Sequence, residues 1–137
     1  MSASETFFDS NVLIYLTDTE SGKAEQTEDL LAKGGTISVQ VLNEFANVAL
    51  RKVRLSWPET RDFLDTFRAT LEIVPLTLET HQRGLDLAER YQLSVYDGMI
   101  VAAAQLAGCR VLYSEDMHDG LVIEKLTIRN PYAAGGG

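Results

Sequence analysis

Apolar residues recur along this chain with two periods that alternate. Short runs bounded by turn residues predict strands at 6–9, 36–39, 72–76, 110–114 and 126–129. Between them, apolar positions three and four apart predict helices over 11–16, 24–33, 41–53, 58–71, 78–91 and 95–107. Strands and helices in alternation predict an α/β fold, a parallel sheet wrapped by helices. The punctuation agrees. Ser56-Trp57-Pro58-Glu59 has capping-box spacing with Pro in the first turn, and Gly34-Gly35 and Gly108 stand where helices should end. Residues 99–107 are apolar on nearly every side, which predicts a helix buried against the sheet.

Size and composition narrow this picture. With 137 residues the chain suits one core, so we expect a single domain over 1–132 and a flexible tail at 133–137. Hydrophobic residues at 45% and charged residues at 23% are ordinary for a globular protein, and no apolar run reaches the roughly 20 residues of a membrane span. No basic stretch followed by an apolar segment opens the chain, and Cys109 is the single cysteine, which excludes an intrachain disulfide. Both facts predict a cytoplasmic protein.

A net charge of −8 argues at first against a nucleic-acid partner, since phosphate backbones are usually met by excess Lys and Arg. Divalent cations in an acidic pocket would reverse the local sign. Arg51, Lys52 and Arg54 also form a local basic cluster, readable either as a nucleic-acid contact or as a solvated helix end favoured by the helix dipole.

Ligands of open α/β sheets bind beyond the carboxyl ends of the strands, and here those ends are acidic. Asp9 closes the first strand, Asp116 follows the fourth, and Asp97 opens the apolar helix that leads into the fourth. On the third helix, Val41, Leu42, Phe45, Val48 and Ala49 share one stripe, and Glu44 falls about 40° beyond its edge. Each acid also has a structural explanation. Asp9 or Ser10 could cap the next helix, Ser94 and Asp97 have capping-box spacing, Asp116 could form a turn with Glu115, and Glu44 could be a helix-flank residue. Four carboxylates crowded at one sheet edge would repel one another unless cations neutralised them, which makes a metal site the economical joint explanation.

The segments Phe8-Asp9-Ser10-Asn11, Asn43-Glu44, Tyr96-Asp97-Gly98-Met99-Ile100-Val101-Ala102-Ala103-Ala104 and Leu112-Tyr113-Ser114-Glu115-Asp116-Met117 together resemble the PIN-domain nucleases, and within them the VapC-like toxins of toxin–antitoxin pairs. Their order and spacing carry the resemblance, which spans residues 7–131. It implies a three-layer α/β/α sandwich with a central parallel sheet of four to five strands, and hydrolysis of single-stranded or looped RNA. It also implies Asp9, Glu44, Asp97 and Asp116 as the metal-binding, catalytic acids, with Ser10, Asn11 or Ser114 as helpers. Asp119 is a further candidate, although its flanks, His118 and Gly120, depart from the Asp-Phe ending common in such proteins. An antitoxin partner that silences the enzyme and a homodimer are implied as well.

An all-carboxylate site without Cys or His suits Mg²⁺ or Mn²⁺ better than zinc, and His81 and His118 are too scattered to argue otherwise. Such an ion would activate water for in-line attack on phosphorus. Cys109 is expected to be a small buried hydrophobe. Trp57, Tyr15, Arg51 and Arg54 are candidate RNA contacts, with Trp57 better read as a staple or core residue. Two other functions remain in play. A receiver-like signalling domain would need paired acids after the first strand and a late strand-end Lys, and the sequence has neither. A PIN fold kept only for binding would be expected to have lost one of the four acids.

Overall fold

The computed structural model describes residues 5–133. The expected tail lies outside the described residues from position 134 onward. Chain order is β1 (Thr6–Phe8), α1 (Ser10–Leu13), α2 (Lys23–Ala32), β2 (Thr36–Ser38), α3 (Val39–Val48), α4 (Trp57–Thr70), β3 (Glu72–Val74), α5 (Leu78–Tyr91), α6 (Val95–Leu106), β4 (Val111–Tyr113), β5 (Val122–Ile123) and β6 (Leu126–Arg129). A 3₁₀ turn, Ile14–Thr17, extends α1, and a π turn, Ala49–Val53, extends α3.

One sheet runs through the molecule in the order β3-β2-β1-β4-β6-β5. The five strands expected from the sequence pair in parallel. A sixth, β5, pairs antiparallel with β6 at the edge. It was not expected because two residues cannot display an alternation. Its turn also needs Glu124 at φ 56°, without the Gly or Asn that would announce it.

Helices cover both faces of this sheet, forming the three-layer α/β/α sandwich. Phe7 and Phe8 are consecutive strand residues that point to opposite faces, and both are wholly buried. Phe8 stacks on Tyr113 of the neighbouring strand, with ring centroids 5.8 Å apart. Phe45 of α3 meets Phe67 of α4 edge-on at 4.9 Å, joining those helices over the core.

Local signals set the helix ends. Ser56 and Glu59 close the expected capping box of α4. Gly34 and Gly108 take φ 85° and 78° just past α2 and α6, where a Cβ would be strained. The apolar helix is buried from Gly98 to Ala104, as its composition requires. It packs so closely on α5 that a Cβ on Gly98 would lie 2.4 Å from the Gly84 carbonyl oxygen.

Strand order decides where function can sit. From β1 the chain builds outward through β2 and β3, then returns to place β4 on the other side of β1. The crossover opens a crevice between the carboxyl ends of β1 and β4. Asp9 and Ser114 are the first residues beyond those two ends.

Candidate metal and nuclease centre

Asp9 stands at the bottom of this crevice and is only 4% exposed. Its backbone N–H still belongs to the sheet, donating to the Tyr113 carbonyl at 2.9 Å, so its side chain is aimed by β1 itself. It does cap α1: Oδ1 accepts from the Ser10 N–H at 2.7 Å. Capping and a role in the site therefore coexist. Oδ2 accepts from the Ser114 hydroxyl at 2.8 Å and from Asn11 Nδ2 at 3.3 Å. These donors are all neutral.

Burial with neutral partners has an electrostatic consequence. Desolvation pushes the Asp9 carboxyl up to about 7 against the stabilising Ser114 hydrogen bond, and the charges of Glu44 and Asp97 add to the rise. Asp97 is also raised, first by burial and then by Asp116 and Glu44. The four acids predicted from the sequence thus form one electrostatic cluster. Neither of the two salt bridges among the described residues, Lys23–Glu115 and Arg68–Asp65, touches it.

Each acid comes from a different element. Glu44 lies on α3 and is half-buried, as its angle on the helix predicts. It reaches toward β1, where its Oε1 accepts from the Ser10 hydroxyl at 3.0 Å. Asp97 sits in the first turn of α6, its N–H held by Ser94 Oγ at 3.0 Å. Asp116 is exposed on the bend after β4. Asn11 spans the crevice, donating to Asp9 and to Ser114 Oγ at 3.3 Å each and accepting from the Glu115 N–H at 3.0 Å. All three proposed helpers, Ser10, Asn11 and Ser114, thus contact the acids or one another.

Other candidates are placed elsewhere. Asp119 is exposed, and its Oδ1 accepts from the Asn130 N–H at 2.9 Å, which ties a loop to the end of β6. Arg51 and Lys52 on the π turn and Arg54 just past its end are exposed, about 10–15 Å along the helix axis from Glu44. Trp57 is 63% exposed, not in the core, and Arg61 lies over its ring at 5.7 Å. Tyr15 donates to Glu115 Oε1 at 2.6 Å. Cys109 is buried, as expected.

Two contributors escaped the sequence reading. Gln40 is buried and donates from Nε2 to Glu44 Oε2 at 3.1 Å and to the Tyr96 carbonyl at 3.0 Å. Its position four residues before Glu44 was the available signal. Lys23 is the second: its ammonium contacts Tyr15 Oη and Glu115 Oε2 at 3.2 Å each and lies over the Tyr15 ring at 4.5 Å. Nothing in the local sequence pairs Lys23 with Glu115, 92 positions away.

The donor set fits a hard cation: carboxylates, hydroxyls and amide oxygens, with neither thiol nor imidazole in the cluster. Asp9, a buried carboxylate without a positive partner among the described residues, is the position that most needs one. As the side chains stand, no three His, Cys, Asp or Glu residues among those described form a ready ligand set. Hydrogen bonds hold Glu44 on Ser10 and Gln40, and Asp9 on Ser114 and Asn11.

Fold and crevice together define a class, a small α/β domain with an acidic centre where its chain crosses over. The chain belongs to the PIN domain family, whose model it matches over residues 6–118. That membership closes the receiver-like alternative. No curated protein matches it in sequence. Solved structures share the fold. A toxin–antitoxin complex from Klebsiella pneumoniae is 24% identical over 93% of this chain and 98% of its own, with a TM-score of 0.70. VapC20 of Mycobacterium tuberculosis, a toxin that cleaves the sarcin–ricin loop, is 15% identical over 81% and 89%, with a TM-score of 0.66. VapBC2 of Rickettsia felis, bound to a DNA fragment from its promoter, is 22% identical over 91% and 97%, with a TM-score of 0.65. Among the described residues, no helix is long and apolar enough to cross a membrane.

Proposed function

We propose that this chain is a Mg²⁺- or Mn²⁺-dependent endoribonuclease, the toxin of a cytoplasmic toxin–antitoxin pair, with Asp9, Glu44, Asp97 and Asp116 as its metal-binding acids. One observation carries the reading: Asp9 is buried at the crossover crevice in the field of Glu44 and Asp97, the latter in turn facing Asp116, with no positive side chain acting on Asp9 among the described residues. Membership of the PIN family and the toxins among its structural neighbours support it.

A divalent cation held by these acids would supply a nucleophilic water at neutral pH and offset charge on the phosphate. The chain's own residues prepare that chemistry. Asp9 and Asp97 are anchored through their backbones to Tyr113 of β4 and to the Ser94 cap of α6, and so form the fixed side of the site. Glu44 is held at both carboxylate oxygens by Ser10 and Gln40, whereas Asp116 is exposed and retains the rotamer freedom to close on an ion. Ser10 orients Glu44, while Asn11 and Ser114 hold Asp9 and the bend after β4 in register. An antitoxin is a proposed partner supported by the toxin–antitoxin complexes among the structural neighbours, and a second copy of the chain is proposed on the toxin-like resemblance alone.

A second reading, a PIN fold used for binding without catalysis, is favoured by the absence of a ready ligand set among the described residues. Cleavage of total cellular RNA by purified, antitoxin-free protein with Mg²⁺ or Mn²⁺ separates the two. Discrete fragments that disappear with EDTA and in Asp97→Asn support the nuclease. Intact RNA with folded, metal-saturated protein supports the binding module.

A further inference from the structure

Tyr96 is 68% exposed, although a phenol ring gains more from burial than most side chains. It occupies the second position of α6, immediately before Asp97. Among the described residues, neither a ring contact nor a hydrogen bond from its hydroxyl engages the side chain. Trp57 differs, because Arg61 covers its ring.

The backbone of Tyr96, by contrast, is held firmly. Its carbonyl accepts from Gln40 Nε2 at 3.0 Å, and the same buried amide donates to Glu44 at 3.1 Å. Gln40 therefore fixes Tyr96 relative to two of the acids, Glu44 through its own bond and Asp97 through the chain. Val95 and Val39, 49% and 37% exposed, adjoin Tyr96 and Gln40 in sequence. An acidic crevice with an exposed aromatic ring on the residue next to one of its acids, its backbone held by Gln40, is suited to a strand that places phosphate in one and a base on the other. Stacking needs only the face of the ring and accepts any unpaired base.

We propose that Tyr96 is a specificity-determining residue that stacks an unpaired base of single-stranded RNA next to the scissile phosphate. This rests on the ribonuclease reading above and adds a determinant of substrate form: duplex RNA, whose bases are already stacked, cannot use it.

The test is steady-state cleavage of a short single-stranded RNA spanning a bond that the wild-type protein cuts in total RNA. Tyr96→Ala should raise KM about tenfold with little change in kcat, while Tyr96→Phe and Tyr96→Trp stay near wild type. Because the ring is exposed, all three variants should melt with the wild type. An abasic nucleotide at one position beside the cut should raise KM similarly for the wild type and add nothing further in Tyr96→Ala. Unchanged KM in Tyr96→Ala, or penalties that multiply at every abasic position, would overturn the stacking proposal alone. Failure of the wild type to cut any RNA would instead remove the ribonuclease reading, and this proposal with it.

Discussion

The Ser10 hydroxyl donates to Glu44 Oε1 at 3.0 Å, joining the first residue of α1 to the middle of α3 across 34 positions of chain. This contact aims a half-buried glutamate, which the geometry of α3 already places at the border of the core, at the end of β1. Gln40 completes the hold from the other oxygen at 3.1 Å.

Ser10→Ala should therefore act on the site more than on the fold. Loss of one partly buried hydrogen bond costs about 1 kcal/mol, whereas a glutamate free to swing should lower kcat/KM about ten- to hundredfold. Thermal melts together with cleavage kinetics check this. A large fall in stability with intact kcat/KM would show that the contact serves the fold alone.

Asp9 makes the metal-free protein sensitive to pH. Its folded-state value, about 7, lies above the ordinary 3.8, so between those values the folded state binds the proton that the unfolded state has released. Stability should fall as pH rises from about 4 to 7, with the full penalty present at pH 8, on the order of 2–4 kcal/mol. Urea unfolding in EDTA at pH 5 and pH 8 measures it. Asp9→Asn should flatten the profile and make the metal-free protein more stable than wild type at pH 8. A variant that is less stable at pH 8 would contradict a buried, uncompensated charge.

Close packing of α5 on α6 gives a prediction about the fold. Gly98→Ala would place its Cβ 2.4 Å from the Gly84 carbonyl oxygen and 3.0 Å from Ala88 Cβ. Because the nearest atom is backbone, the helices must separate. We expect a loss of about 1–3 kcal/mol in chemical denaturation, with reduced cleavage because Asp97 adjoins the shifted turn. Unchanged stability would show that this helix pair is loosely packed.

The same residues show what the sequence could reveal. Asp9 and Asp116 were legible because a strand end is a local feature, and Glu44 because helix geometry gave its angle to the core. The parallel sheet followed from alternating periods. Gln40 and Lys23 were not legible, since their partners Tyr96 and Glu115 lie 56 and 92 positions away and only the folded topology joins them. Trp57 departs from the staple or core role that its place beside an N-cap suggests, since its ring is exposed and meets Arg61. The edge strand β5 was too short to carry any period.

Calorimetric titration of Mn²⁺ into the metal-free protein asks whether the four acids hold a divalent cation. We expect saturable binding to the wild type, loss of that isotherm in Asp9→Asn, and a Mn²⁺-induced rise in melting temperature that disappears in the same variant. Identical isotherms for wild type and Asp9→Asn, or no saturable binding by the folded wild type, would contradict it.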